Sequence, residues 1–370
     1  MARVLLVHQP IDGGVGRHLA DLWRGLTTLG HEVALCGPEP LAGVPTDAHV
    51  PLELTRAVDP RRDAAALRRY GRVLRSVAPE LVHAHSSKAG AIARVARGFQ
   101  PRVPVVYTPH GYAFAGFFER AAERRLYRGV EQALAPLAST VLCVCEAEAR
   151  LARAVGPAHR VRVVHNGVEI PVAPTIDPRM ENLRHAGPVV CTLTQLRPGK
   201  GLETLLDSVP EVLAGCPTAQ FAIWGDGPEL GALGERARSL GIATCVHFLG
   251  STSDSASVLQ GADVFVLPSW AEAFPYVILE AMASARAIVA TDVGGIGEAL
   301  GADAAGLLVP AGAAAPLAQA LLELLGDRRR AEQLAGAALR AVQERFTTQR
   351  MVAGVAEIYA QRSGGSSPGR

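Results

Sequence analysis

Short apolar, β-branched runs alternate with longer segments in which apolar residues recur every three or four positions, almost from end to end of the chain. In the first half, Val4–His8, Val33–Cys36, Leu81–Ala84, Val105–Thr108, Val141–Cys145 and Val161–His165 read as strands. Leu19–Leu29, Ala64–Val77 and Glu119–Leu134 carry the helical spacing between them. This alternation predicts a parallel sheet with helices on both faces.

The pattern then breaks. Pro171, Pro174, Pro178 and Pro188 fall in a stretch of little periodicity, which reads as a linker over residues 173–188. It restarts with Val189–Leu193, Phe221–Gly225, Val246–Leu249, Val264–Pro268, Ala287–Ala290 and Leu307–Val309. The expected fold class is α/β, with two doubly wound, Rossmann-like domains over residues 1–172 and 189–345. Residues 346–362 read as a last helix and 363–370 as a frayed tail.

A length of 370 residues suits two domains of roughly 100–200 residues each. Hydrophobic residues at 49% supply two cores and exclude disorder. The apolar runs are strand-sized, short of the roughly 20 residues of a membrane span. Met1–Ala2–Arg3 enters the first run without a leader-like pattern, so the expectation is a cytoplasmic protein. The net charge of +2 hides an asymmetry. Through Ala186 there are 24 Lys+Arg against 17 Asp+Glu, a net of +7; beyond it there are 13 against 18, a net of −5. A basic first half points to an anionic partner, a membrane surface or a phosphorylated substrate. Aromatics at 5%, with no basic-aromatic platform, argue against nucleic acid. Six cysteines without CxxC pairing read as small core residues of a reducing compartment. No His, Cys or Asp group has metal-ligand spacing, so neither metal nor cofactor is expected.

Two strand-to-helix turns carry phosphate-binding chemistry. Asp12–Gly13–Gly14–Val15–Gly16–Arg17–His18 lets backbone amides approach an anion at a helix start. Leu19 stands where a dinucleotide fingerprint has its third glycine, and no acid closes the second strand, so an NAD enzyme is not indicated. A glycine turn here is equally an ordinary connection. The second turn, Leu193–Gly201, offers Arg197 and Lys200 before the helix Leu202–Ala214, a combination suited to a diphosphate. Lys88 and Lys200 are the only two lysines among 37 Lys+Arg, which singles out Lys200 as a compact donor. Further on, Val264–Pro268 leads into a loop with Glu272, Pro275 is placed to begin a helix, and Glu280 lies inside that helix among apolar neighbours. Such a carboxylate needs donors, from ligand hydroxyls or from neighbouring backbone.

The motifs GGVGRH, HAHSSKAG, YTPHGY, VVHNGVE, LRPGKG, WGDGP, VFVLPSWAEAFPYVILEAMA, TDVGGIGE and GLLVP, in this order over residues 3–345, resemble the retaining glycosyltransferases of glycosyltransferase family 4. The resemblance implies the GT-B fold, in which the two domains face a central cleft and the last helix crosses back to the first domain. It implies a nucleotide-sugar donor, UDP- or GDP-linked, and no metal. Glu272 and Glu280 reproduce the family's glutamate pair. By resemblance, Glu280 holds the ribose and Glu272 the transferred sugar. Amides after Phe274, at Tyr276 and Val277, face sugar and diphosphate. Lys200, with Gln195 and Arg197 beside it, meets the diphosphate, Gly14 closes over the phosphates, and His110 lies next to the reacting sugar. Arg17, His18, His85 and Lys88 are acceptor-side candidates.

Three departures stand out: Gln195 where the family usually has arginine, Pro275 at a frequent glycine, and Ala285 and Ala287 in place of Gly-x-Pro. Retention by front-face displacement is the expected mechanism. A hydroxyl acceptor, lipid-linked or on an anionic membrane surface, is suggested by Arg68, Arg72 and Arg75 opposite Leu67, Tyr70, Leu74 and Val77. Phe114, Phe117 and Phe118 beside Arg120, Arg124, Arg125 and Arg128 suggest the same. A solvated helix and core aromatics are the competing reading. The wording of HSSKAG and TPHGY resembles the cell-surface polysaccharide branch. A small soluble acceptor, a sugar-nucleotide epimerase and a silent GT-B partner subunit are the other readings. The base is expected near His247–Ser251.

Overall fold

The computed structural model describes residues 1–10, 13–55, 58–116, 120–301 and 304–363. They form two compact units, one of Met1–Asn166 with the segment from Thr348, the other Gly167–Thr347.

The sheet of the first unit comprises β1 (Arg3–His8), β2 (Glu32–Gly37), β3 (His49–Pro51), β4 (Leu81–His85), β5 (Val105–Thr108), β6 (Thr140–Cys143) and β7 (Val161–Val163). Their order is β3-β2-β1-β4-β5-β6-β7, with every pairing parallel. Along β1, Val4 and Leu6 pack with Leu19, Leu22 and Tyr359 on one face. Leu5 and Val7 pack with Tyr70, Leu74 and Ile92 on the other. The period-2 alternation of a strand thus serves two buried faces, which is why β1 reads as an unbroken apolar run. The last helix, Thr348–Ser363, belongs to this unit through Val355, Ile358 and Tyr359.

The second sheet comprises β8 (Val189–Leu193), β9 (Gln220–Trp224), β10 (Val246–Phe248), β11 (Val264–Leu267), β12 (Ala287–Thr291) and β13 (Leu307–Val309). It is parallel in the order β10-β9-β8-β11-β12-β13. Phe221 and Ile223 face the core under the helices Leu202–Gly215 and Ala314–Gly326, whereas Ala222 and Trp224 face Met180 and Val258. Both sheets reverse their strand order once, between β1 and β4 and between β8 and β11. In open α/β sheets ligands bind beyond the carboxyl ends of the strands at that reversal.

Four local expectations change. β3, a three-residue edge strand, has no counterpart in the apolar pattern. The stretch read as a linker contains a helix, Pro178–Ala186, started by Asp177 accepting from the Arg179 amide and anchored by fully buried Met180. Proline there opens a helix because its missing N–H is one that no helix start uses. Pro275 is the residue before the helix Tyr276–Ala283, not its first. The helix expected from Glu119 begins at Ala121; Glu119, Phe117, Phe118, Asp12 and the tail beyond Ser363 lie outside the described residues.

Candidate active site

In the second unit the loops after β8 and β11 meet at the reversal point. Gly201 takes φ 66°, and a Cβ there would drive into the Pro268 carbonyl oxygen, so only glycine lets the two loops close. The Trp270 amide donates to the Gly199 carbonyl at 2.9 Å. This closure brings Lys200 to Glu272 across 72 residues of sequence: Lys200 Nζ donates to Glu272 Oε1 at 2.6 Å. Ser269 Oγ donates to the same oxygen at 2.7 Å. Directly behind Lys200 the helix Leu202–Gly215 starts without a side-chain cap, so its first amides keep their donors for a ligand. Gln195 Oε1 accepts from Arg197 Nε at 2.9 Å, so the neutral residue at the unusual position steadies the neighbouring cation.

Glu280 is half-buried in the second turn of Tyr276–Ala283, and Ser255 Oγ donates to it at 3.0 Å. One of its donors is therefore a hydroxyl on a neighbouring helix, Ser255–Gln260. Phe274 is buried and meets Phe346 edge-on at 5.4 Å. Tyr276 is buried on the same helix as Glu280, and Val277 is half-buried.

In the first unit the reversal point gathers histidines. His18 comes from the helix Gly14–Thr28, in which Gly14 is the first residue; His83 and His85 come from one face of β4, and His110 from the turn after β5. His85 Nδ1 and His110 Nε2 share a hydrogen bond of 3.0 Å. His18 Nδ1 donates to Asn166 Oδ1 at 3.1 Å. Burial pushes His18 down to about 4, and holds His85 and His110 well below the usual histidine range. All three are neutral near pH 7. His110 sits in the left-handed region at φ 55° and Gly111 follows at φ 98°. Buried Glu148 secures that turn: its two oxygens accept the Gly111 amide at 2.5 Å and the Val144 amide at 2.8 Å.

The two acceptor-side cations lie elsewhere in the first unit. Lys88 Nζ lies 2.7 Å from both oxygens of Asp63, and its amide donates to Gln9 Oε1 at 2.8 Å; it ties the start of the helix Ser87–Ala96 to the helix Pro60–Val77 and to the loop after β1. Arg17 is partly exposed, 3.6 Å from Asp21. The apolar face of Ala64–Val77 is core: Tyr70 and Leu74 are buried in the helix Pro60–Val77. The sequence reading missed Glu148, Ser255, Ser269 and Asn166. For Glu148 a signal existed, since Glu148, Ala152 and Val155 recur at helical spacing along the buried face of Glu146–Val155.

Two parallel doubly wound units, each with its candidate residues at a strand-order reversal, define the GT-B class. The Anabaena Alr3699/HepE protein, crystallised with UDP and glucose, has the same fold with a TM-score of 0.81 and 22% identity, over 97% of this chain and 100% of that one. In sequence, "Glycosyltransferase Family 4" matches residues 12–170 and "Glycosyl transferases group 1" matches residues 187–327. The chain belongs to glycosyltransferase family 4. Among relatives, the glycogen synthase of Mycobacterium tuberculosis is 25% identical, covering 96% of this chain and 94% of its own. The phosphatidyl-myo-inositol mannosyltransferase of Mycolicibacterium smegmatis is 28% identical, covering 96% and 92%.

Proposed function

We propose that this glycosyltransferase moves a hexosyl group from a nucleoside-diphosphate sugar to a hydroxyl acceptor, with retention of anomeric configuration. The observation that carries the reading is the Lys200–Glu272 pair at 2.6 Å, set beside an uncapped helix start. Departure of a diphosphate builds negative charge on phosphate oxygen. Lys200 supplies a compact counter-charge, the helix amides supply aligned dipoles, and Arg197 supplies a second cation. A diphosphate that engages Lys200 frees Glu272 to accept from sugar hydroxyls. Glu280 and Ser255 form an acceptor and donor pair suited to a ribose diol. His110, neutral and hydrogen-bonded to His85, is the family's histidine for the reacting sugar, and it serves as a hydrogen-bonding group rather than as a cation.

A lipid-linked or membrane-surface acceptor is favoured over a small soluble one by the helix Ala121–Leu134. Ala122, Leu126, Val130 and Ala133 form an exposed apolar stripe, with Arg124, Arg125 and Arg128 exposed beside it. That pattern suits an anionic bilayer at the inner face of the cell membrane, in cell-surface polysaccharide or glycolipid synthesis. Among the described residues no helix is long and apolar enough to cross a membrane.

The test is a thermal shift with UDP, GDP, ADP and dTDP, each repeated on Glu280→Ala. A nucleotide at about 100 times its Kd adds roughly 2.7 kcal/mol, a shift of several degrees. One nucleotide should shift the wild type and not the variant. No shift with any of the four would overturn the donor reading, and an inverted anomeric product would overturn retention.

A further inference from the structure

Sequence spacing contains no metal motif, because the residues that converge come from a helix, a strand end and a turn far apart in the chain. His18, His85 and His110 each offer a ring nitrogen, and these atoms lie within 4.8 Å of one another. The His18 ring meets His110 edge-on at 4.7 Å and His85 at 5.4 Å. We propose that these three histidines form an all-nitrogen site for a borderline divalent metal ion such as Zn²⁺, and that its occupancy takes His110 out of the transfer reaction.

The geometry asks for little movement. Zn–N bonds of about 2.0–2.1 Å in a tetrahedron set ligand nitrogens roughly 3.3 Å apart. The His85 Nδ1 to His110 Nε2 distance of 3.0 Å is already close to that value. The remaining separations, at most 4.8 Å, need to close by roughly 1.5 Å. In the free protein one hydrogen lies between His85 and His110. A metal ion takes its place while that hydrogen moves to the other nitrogen of the same ring, so no proton is lost to solvent. His85 is not held to one tautomer from its far side, because its buried Nε2 has no hydrogen-bond partner among the described residues. Three imidazoles leave a fourth position for water or an anion. Imidazole ligands select Zn²⁺, Co²⁺, Ni²⁺ or Cu²⁺ over Mg²⁺ or Ca²⁺, which require oxygen. Metal binding rests on this geometry alone; only the inhibition rests on the proposed role of His110.

The experiment titrates the full chain with Co²⁺, read by the visible absorption of a tetrahedral complex, and with Zn²⁺ by equilibrium dialysis. The variants are His18→Asn and His85→Gln, with exposed His159→Gln and His185→Gln as controls. One equivalent of Co²⁺ should bind and be displaced by Zn²⁺. Each cluster variant should lose more than about a hundredfold in affinity, beyond the roughly 10–100-fold that loss of an outer partner costs, and the controls should lose nothing. X-ray absorption on the Zn²⁺-loaded wild type should count three imidazoles, a readout that does not depend on the variants folding. No saturable binding, or folded cluster variants that bind like wild type, would overturn the site. Zn²⁺ binding with undiminished sugar transfer would overturn the inhibition while leaving the site intact.

Discussion

Replacing Glu148 with glutamine tests how the turn carrying His110 is held. Burial raises the Glu148 carboxyl from 4.5 to about 7, against the pull of its two amide donors. Between those values the folded state keeps a proton that the unfolded state has released. The resulting stabilisation is complete below pH 4.5 and is lost as pH rises through 7. Integrating from about pH 5 to about pH 8, this one group should cost the wild type about 2.5 kcal/mol. Glu148→Gln cannot titrate, so that component should vanish, and other groups cancel in the difference between the two proteins. The amide also turns an N–H₂ toward a backbone donor, a cost of about 1–3 kcal/mol near neutral pH. Urea unfolding of both proteins at the two pH values measures the difference. Identical pH dependence in wild type and variant would refute the argument, because it would mean that Glu148 keeps its ordinary affinity for protons. Glu148→Ala should be worse, at about 2–6 kcal/mol, since it leaves the Gly111 and Val144 amides both unpaired.

Four further outcomes are expected. Gly201→Ala places a methyl against the Pro268 carbonyl at φ 66°, a left-handed cost of about 1–2 kcal/mol before the clash is counted; its melting temperature should fall by several degrees and its nucleotide-induced shift should disappear. Lys200→Met should slow sugar transfer by roughly 10²–10³-fold, as loss of one transition-state donor does. Lys88→Met, which removes a cation already paired with Asp63, should leave the turnover rate far less affected. Leu126→Asp should weaken co-sedimentation with phosphatidylglycerol vesicles without changing the melting temperature, because Leu126 is 64% exposed; unchanged sedimentation would remove the membrane-facing role of that helix.

The strands were legible because both sheets are buried on two faces, which makes β1 or β11 a continuous apolar run with helices between. His49–Pro51 was not, because three residues that begin with histidine and end in proline carry no period. Pro178–Ala186 was hidden for another reason: only Met180 and Leu183 face the core, too few for a helical stripe. Within the site, the sequence marks Lys200, Glu272 and Glu280 as chemically unusual, and His110 only through the family resemblance. It does not show that Lys200 and Glu272 touch, or that His18, His85 and His110 meet, because strand order decides both. Glu148 looks like one more acid in an acidic helix start until the buried face of that helix is known.

The ties between the β8 and β11 loops have a consequence for how such enzymes can be altered. Gly199 accepts from the Trp270 amide, Lys200 donates to the Glu272 carboxylate, and Gly201 lies so close against the Pro268 carbonyl that a side chain would not fit between them. Residues 194–201 and 268–275 therefore act as one part split across the chain. A chimaera that imports one loop from a relative breaks three matched contacts at once, whereas a chimaera that imports both keeps them. Recombination points that preserve a working donor site should fall outside residues 194–275, and loop libraries built to change sugar preference should vary the two segments together.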